Sequence, residues 1–176
     1  MAAPQAWQEA YVALVNRAWR ESRFVPEGAQ PGLYDGRTFQ ENVQNLAVQD
    51  IVKTRFAYPS VEEPDLKSYA NRPEHTIGVR LATGELLFPD IVVMDKSTTE
   101  VRMLAEVETE RSLHDPDVAE KLRAFASTGK LFLYVPLSNV DRARRLLQSA
   151  NVRLAGLRSW RYNIGQRTVD ILELPL

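Results

Sequence analysis

Apolar residues recur at helical spacing in two stretches of the N-terminal third. Tryptophan, tyrosine and aliphatic residues three and four positions apart predict an amphipathic helix over about 5–21. A second helix is predicted over about 38–55, because Thr38 suits an N-cap and Glu41 stands at the capping-box position. The stretch 59–73 is polar and contains three prolines, which is typical of an ordered loop or a flap.

The rest of the chain alternates between strand-like and helical patterns. Short runs of β-branched and aliphatic residues predict strands at 76–81, 86–94, 101–108, 131–135, 153–160 and 169–174. Helices are predicted after Pro116 and after Ser138 or Asn139. The run 131–135 has no polar alternation, so it predicts a central strand buried on both faces. Together these elements predict one α/β domain over 1–176, with a mixed central sheet flanked by helices.

Three carboxylates lie inside two of the predicted strands. Glu106 and Glu108 are two positions apart, so their side chains point to the same face of a strand. If a turn at 95–100 closes a hairpin, one register places Asp90 opposite Glu106 and another places it opposite Ala105. Carboxylates opposed on a sheet repel each other unless a cation bridges them. Apolar neighbours favour a covered sheet with a metal site, and the alternative is a solvated face with three exposed acids.

This arrangement resembles the PD-(D/E)xK superfamily, that of restriction endonucleases and many repair and phage nucleases. The similarity consists of Pro89-Asp90 on the second strand, Glu106 on the third, and the order αβββαβ over about 38–136. It implies a restriction-endonuclease-like core, with an N-terminal helix and a C-terminal helix-plus-strands extension outside it. It also implies that Asp90, Glu106 and the backbone carbonyl of Val107 bind Mg²⁺ or Mn²⁺, since hard cations prefer oxygen ligands.

Glu108 stands where the family usually has a lysine. A glutamate supplies no positive charge to orient the attacking water, but it can bind a metal or act as a general base. Lys121 adjoins the apolar stripe of the following predicted helix, so it is the candidate for the missing positive charge. Glu41, on the preceding helix, matches by position a glutamate that some family members add to the site.

Composition narrows the class of protein. The chain has 176 residues, no cysteine and a formal net charge of −1, which excludes disulfides and thiolate metal sites. The first nine residues have no basic or apolar targeting segment, and no apolar run approaches the length of a membrane span. A cytoplasmic protein without a membrane partner is therefore expected. The sequence contains no phosphate-binding loop, dinucleotide fingerprint or Gly-x-Ser-x-Gly nucleophile motif.

Acidic and basic residues are unevenly distributed. Fourteen acidic residues oppose six basic ones over 58–120, whereas seven arginines oppose two aspartates over 141–170. This asymmetry suits a protein that binds cations at one place and phosphates at another. In the basic segment, Arg158, Trp160 and Arg161 are candidates for binding nucleic acid, the arginines at phosphates and the indole against a base. For this segment alone, the simpler alternative of a core tryptophan and solvated arginines is favoured.

These observations predict divalent-metal-dependent hydrolysis of DNA phosphodiester bonds. Asp90, Glu106 and Glu108 are the predicted catalytic and metal-binding acids, and Lys121 is the predicted charge stabiliser. The alternative is a nuclease-like fold without catalysis that binds nucleic acid or protein, which the missing family lysine supports. Chemistry on a small phosphorylated metabolite is a third option, against which the absence of a phosphate-cradling glycine loop counts. RNA as a substrate and a homodimer formed through the N-terminal helix stay open.

Overall fold

The computed structural model describes residues 36–163, 166 and 168–175, so the helix predicted over 5–21 lies outside the described residues. The described α-helices are α1 (Gly36–Arg55), α2 (Val118–Ala126) and α3 (Val140–Ser149). The described strands are β1 (Leu66–Ala70), β2 (Val79–Arg80), β3 (Leu86–Leu87), β4 (Ile91–Asp95), β5 (Val101–Val107), β6 (Lys130–Pro136), β7 (Gly156–Asn163) and β8 (Thr168–Leu174). Two short 3₁₀ helices, Ser112–His114 and Leu137–Asn139, precede α2 and α3.

Six strands form one mixed sheet in the order β1-β4-β5-β6-β7-β8. The pairs β1–β4, β4–β5 and β7–β8 are antiparallel, whereas β6 runs parallel to both β5 and β7. The strands β2 and β3 form a separate two-stranded sheet. The prediction of a mixed α/β fold with a mixed central sheet is therefore confirmed.

The strand β6 shows how the sheet divides the core. Leu131, Leu133 and Val135 pack on one face, in the apolar cluster that includes residues of α2 and α3. Phe132 and Tyr134 pack on the opposite face, in the cluster that includes residues of α1. Alternate side chains of a strand point to opposite faces, so both faces of β6 are covered. The predicted central strand is confirmed.

Two predictions about the strands before β5 are wrong. The stretch 59–73, predicted to be a loop or flap, contains the edge strand β1, which pairs antiparallel with β4. Most of the side chains of β1 are partly exposed, so this edge strand has no continuous apolar pattern. The strand predicted over 86–94 is two strands in different sheets, β3 and β4, because the chain leaves the ladder at Phe88–Asp90 and Pro89 has no N–H to donate. The run 76–81 contributes only β2.

The remaining described elements follow the predicted pattern. The helix predicted to begin near Thr38 is α1, and those predicted after Pro116 and after Asn139 are α2 and α3. The late strands are β7 and β8, each shifted by a few residues at one or both ends from its predicted bounds. Among the described residues, no helix is both long and apolar enough to cross a membrane.

Candidate functional site

A bulge in the β4–β5 ladder sets the position of the first two carboxylates. Met94 pairs with Val101, but after a register shift Ile91 pairs with Ala105. The bulge therefore brings Asp90, the residue before β4, next to Glu106. The two residues are joined directly: the Asp90 N–H donates to Glu106 Oε1 at 3.0 Å.

The three predicted acids are buried. Asp90, Glu106 and Glu108 are 4%, 3% and 1% exposed. The alternative of a solvated sheet face with three exposed acids therefore does not hold. A buried carboxylate without a compensating cation or donor costs several kcal/mol, so each of these groups needs partners inside the protein.

Lys121 is the partner of both glutamates. Its Nζ lies 2.8 Å from Glu106 Oε2 and 2.8 Å from Glu108 Oε1. The helix α2 brings it there because Leu122 and Phe125 of the same helix are buried against the sheet. These contacts agree with the expectation that Lys121 points toward the sheet face, and its role as a charge stabiliser stays a prediction.

Asp90 has a different cation, Arg72, which the sequence analysis did not single out. Arg72 Nε lies 2.5 Å from Asp90 Oδ1. The second oxygen, Oδ2, accepts the backbone N–H of Val107 at 2.9 Å. Arg72 is part of the stretch that was predicted to be a loop or flap, and no local pattern distinguishes it there from other polar residues.

Asn71 organises the segment that carries Arg72. Its backbone N–H donates to the Asp90 carbonyl at 2.9 Å, and its side-chain amide donates to the carbonyls of Pro89 and Ile77, both at 2.7 Å. Its side-chain oxygen accepts the N–H groups of Thr76 and Ile77. The hydrogen bonds to residues 89 and 90 hold Asn71 beside Asp90. They therefore place the backbone of the adjacent Arg72 where its guanidinium can reach the Asp90 carboxylate.

The backbone that follows Glu106 is held by three further hydrogen bonds. The Val107 carbonyl, a predicted metal ligand, accepts the side-chain amide of Gln44 from α1 at 2.6 Å. The Glu108 N–H donates to the Tyr134 carbonyl at 2.8 Å, and the Glu108 carbonyl accepts the indole N–H of Trp160 at 3.0 Å. Residues of α1, β6 and β7 thus fix the direction in which Glu106 and Glu108 point.

Burial shifts the pKa values of Asp90 and Glu106 upward. Burial, together with the charge of Asp90, raises the pKa of Glu106 to about 8, although Lys121 opposes the shift. Burial likewise raises the pKa of Asp90, against the opposing effect of Arg72. For Lys121, burial lowers the pKa, but the charges of Glu106 and Glu108 outweigh burial and raise it above its ordinary value. The site holds more negative charge than its two cations offset.

A cleft of about 490 Å³ opens beside this network. Its lining includes Gln44 and Arg72, which contact the network, and the side chains of Arg111 and His114. Glu41, the weaker sequence-based candidate, lines the same cleft one helical turn from Gln44. The complete lining is Glu41, Gln44, Arg72, Thr109, Arg111, Ser112, His114, Asp115 and Pro116. The three buried carboxylates are not part of this lining, so the cleft reaches them through Arg72, the partner of Asp90.

The three residues predicted to bind nucleic acid lie on β7 with partners of their own. Arg158 contacts Glu173 at 3.3 Å, and Arg161 contacts Asp170 at 2.9 Å, both across the β7–β8 pair. Trp160 is buried, with its N–H on the Glu108 carbonyl, so its ring offers no open face to a base. Its burial agrees with the alternative that places this tryptophan in the core.

The hydrogen bond from Trp160 gives a direct stability prediction. Trp160→Phe keeps a large ring but leaves the buried Glu108 carbonyl without its donor, which costs about 1–3 kcal/mol. Urea unfolding followed by far-UV circular dichroism should show a loss of this size. Ser149→Ala, which removes an exposed hydrogen bond at the end of α3, is the control and should change the free energy of unfolding by less than about 0.5 kcal/mol. Equal stability of Trp160→Phe and wild type would contradict this role of the indole.

The donor atoms of the site suit a hard divalent cation. Three carboxylates and the Val107 carbonyl supply oxygen ligands alone, which is what Mg²⁺ and Mn²⁺ prefer. Within 36–163, 166 and 168–175, however, no three acidic or histidine side chains are grouped as a metal cluster. Lys121 and Arg72 instead occupy carboxylate oxygens that a metal would use. The chemistry of the donors fits the cation, and their arrangement is that of a closed ion-pair network.

No protein-family model, no curated protein and no solved structure matches the chain, so the case for a function is carried by the geometry of this site.

Proposed function

We propose that the protein is a divalent-metal-dependent nuclease that hydrolyses DNA phosphodiester bonds. The observation that carries the proposal is the burial of Asp90, Glu106 and Glu108 together on one face of the sheet, with Lys121 in contact with both glutamates. Buried carboxylates that repel one another lower the stability of a fold, so their presence favours a functional role. Acids with shifted pKa values near a cleft are typical of active sites.

The order of the elements supports the same proposal. Leaving aside the short strands β2 and β3, which lie between β1 and β4 in the chain, the elements α1, β1, β4, β5, α2 and β6 come in the order αβββαβ. The strand β4 is antiparallel to both β1 and β5, and β6 is parallel to β5. We infer from this that the core is restriction-endonuclease-like, with β1 in the place that the sequence pattern assigned to 76–81. The proposal includes a location in the cytoplasm.

Each residue of the network has a role in the proposed reaction. Asp90, Glu106 and the Val107 carbonyl would hold the cation, which supplies Lewis acidity toward the water and the phosphate. Glu108 accepts the proton of the attacking water. Lys121 supplies, from α2, the positive charge that offsets the negative charge developing on the phosphate. The glutamate at position 108 and the lysine at 121 together replace the single lysine of the family pattern.

Metal titration tests the proposal without a guess about substrate sequence. Calorimetry with Mn²⁺ should detect binding to the wild type and none to Asp90→Asn/Glu106→Gln, a double variant that keeps the shapes of both side chains. Binding should strengthen as pH rises toward about 8, because Glu106 must lose its proton to act as a ligand. A screen of DNA and RNA substrates with Mg²⁺ or Mn²⁺ should then show cleavage by the wild type alone. Cleavage by the double variant at the wild-type rate would contradict the assignment.

One observation favours the second candidate, a nuclease-like module that binds nucleic acid or protein without cleaving. Arg72 and Lys121 already neutralise most of the charge of the three acids, so the network is self-contained without a metal. Such a module would bind DNA equally well with Mn²⁺ and with EDTA, and Asp90→Asn/Glu106→Gln would retain that binding. A nuclease of the proposed kind would require the metal for cleavage.

A further inference from the structure

Within the described part of the chain, one carboxylate oxygen of Asp90 accepts a backbone hydrogen bond, and Arg72 contacts the other. Oδ2 accepts the Val107 N–H, and Oδ1 holds the guanidinium. A divalent cation at ligand distance from Oδ1 would lie against a second positive charge, and like charges at such short range repel strongly. Arg72 and a metal therefore compete for Asp90.

Arg72 also has access to the cleft. Its side chain is 37% exposed, whereas Asp90 is buried. The cleft beside it is lined by a second guanidinium, Arg111, and by the acids Glu41 and Asp115. Guanidinium groups bind phosphate oxygens in a planar, bidentate geometry. With two arginines balanced by two acids, the cleft suits one phosphate group better than a run of them.

The charges of the network change sign when a metal binds. With all three carboxylates ionised, as metal binding requires of Glu106, the acids and the two cations, Arg72 and Lys121, carry one formal negative charge. A divalent cation reverses it to one positive charge, which the single charge of a phosphodiester then balances. Metal and phosphate should therefore each favour the binding of the other.

From these contacts we propose that the cleft is the binding site of a substrate phosphodiester and that Arg72 is its ligand. Arg72 moves from Asp90 to the phosphate when substrate enters, and this movement frees Asp90 Oδ1 for the metal. Arg72 is thus a latch that weakens metal binding until a nucleic acid is bound. The inference rests on the proposed metal-dependent function and adds to it the substrate ligand and its coupling to metal binding.

The test compares Mn²⁺ affinity with and without a short DNA duplex whose phosphorothioate linkages resist cleavage. In the wild type, the duplex should tighten Mn²⁺ binding about tenfold, within the usual range for coupled sites. In Arg72→Gln, Mn²⁺ should bind about 5- to 10-fold more tightly than to the wild type without DNA, because Asp90 is free. In this variant, the duplex should tighten Mn²⁺ binding only slightly further.

Arg111→Gln is the matched control, since it removes the same charge from the cleft but Arg111 makes no contact with Asp90 in the described residues. It should leave Mn²⁺ affinity without DNA unchanged. Should Arg72→Gln prove too unstable, Arg72→Lys gives the same comparison with smaller changes. Mn²⁺ affinity and DNA coupling in Arg72→Gln equal to those of the wild type would overturn the latch. Coupling through Arg72 in a protein that cleaves no substrate would support the latch and contradict the nuclease.

Discussion

Lys121→Met should abolish cleavage and destabilise the fold. The substitution keeps an unbranched side chain but removes the only cation in contact with Glu106 and Glu108 in the described residues. Removing one partner of a buried ion pair costs about 3–5 kcal/mol. Because Lys121 is itself 38% exposed, we expect a smaller loss in the free energy of unfolding, about 2–3 kcal/mol. Loss of an electrostatic stabiliser should lower the cleavage rate at least ~100-fold.

Chemical denaturation at pH 8.5, above the raised pKa of Glu106, measures the first effect, and a DNA cleavage assay under conditions where the variant is folded measures the second. Lys130→Met, an exposed lysine on β6, is the control and should change neither quantity. A folded Lys121→Met variant that cleaves at the wild-type rate would remove this lysine from the mechanism.

Exchanging Glu108 and Lys121 tests whether cleavage depends on which of the two positions carries the lysine. Because Lys121 contacts Glu108, the single change Glu108→Lys would place two cations against Glu106 and remove an acid. The double variant Glu108→Lys/Lys121→Glu instead places a lysine where the PD-(D/E)xK superfamily, which the sequence resembles, usually has one, and keeps the ion pair. Recovery of cleavage in the double variant, compared with Lys121→Met, would show that Glu108 and Lys121 act as an exchangeable pair.

The stability of the wild type should fall as pH rises from about 4.5 to about 8. The pKa of Glu106 is raised in the folded protein to about 8 from an ordinary value of 4.5. Between these values the folded state keeps a proton that the unfolded state has released, so raising the pH favours unfolding. The slope for a single group reaches about 1.4 kcal/mol per pH unit at most.

Glu106→Gln should reduce this slope, since glutamine carries no charge at any pH in the window. A residual slope of the same sign should remain, because the pKa of Asp90 is also raised by burial. Denaturant unfolding at half-unit pH intervals measures both curves. Leu104→Ala, a buried apolar change on the same strand, is the control and should lower stability equally at every pH. A wild-type curve that is flat, or that rises with pH, would mean that Glu106 is charged throughout.

The residues that repeat with a regular period were predictable from the sequence. Alternation along β5 placed Glu106 and Glu108 on one face, and the apolar stripe of α2 directed Lys121 toward that face. The strand β6 was recognisable because an uninterrupted apolar run requires cover on both sides. These inferences depend only on local geometry, which is why they agree with the observed strands and helices.

The partners of the carboxylates that come from irregular segments were not predictable. Arg72 reaches Asp90 because of the hydrogen bonds of Asn71, and a single asparagine in a polar stretch gives no periodic signal. The register that brings Asp90 to Glu106 depends on a bulge at Val93/Met94, which adds one residue without any marker in the sequence. The contact between Trp160 and Glu108 joins residues 52 positions apart. Such contacts follow from tertiary packing.

The bond from the Trp160 indole to the Glu108 carbonyl also affects how the protein can be divided. The segment 38–136 contains all five residues assigned to the proposed reaction, yet one hydrogen-bond partner of Glu108 belongs to β7, beyond the end of that segment. Removing β7 would also expose the edge of β6, whose Phe132 and Tyr134 pack against α1 and Trp160. A fragment ending at residue 136 would thus contain every residue assigned to the proposed reaction and lack the strand that holds the backbone of Glu108 in place. A shortened version, or a transplant of the site into another scaffold, has to extend through Asn163.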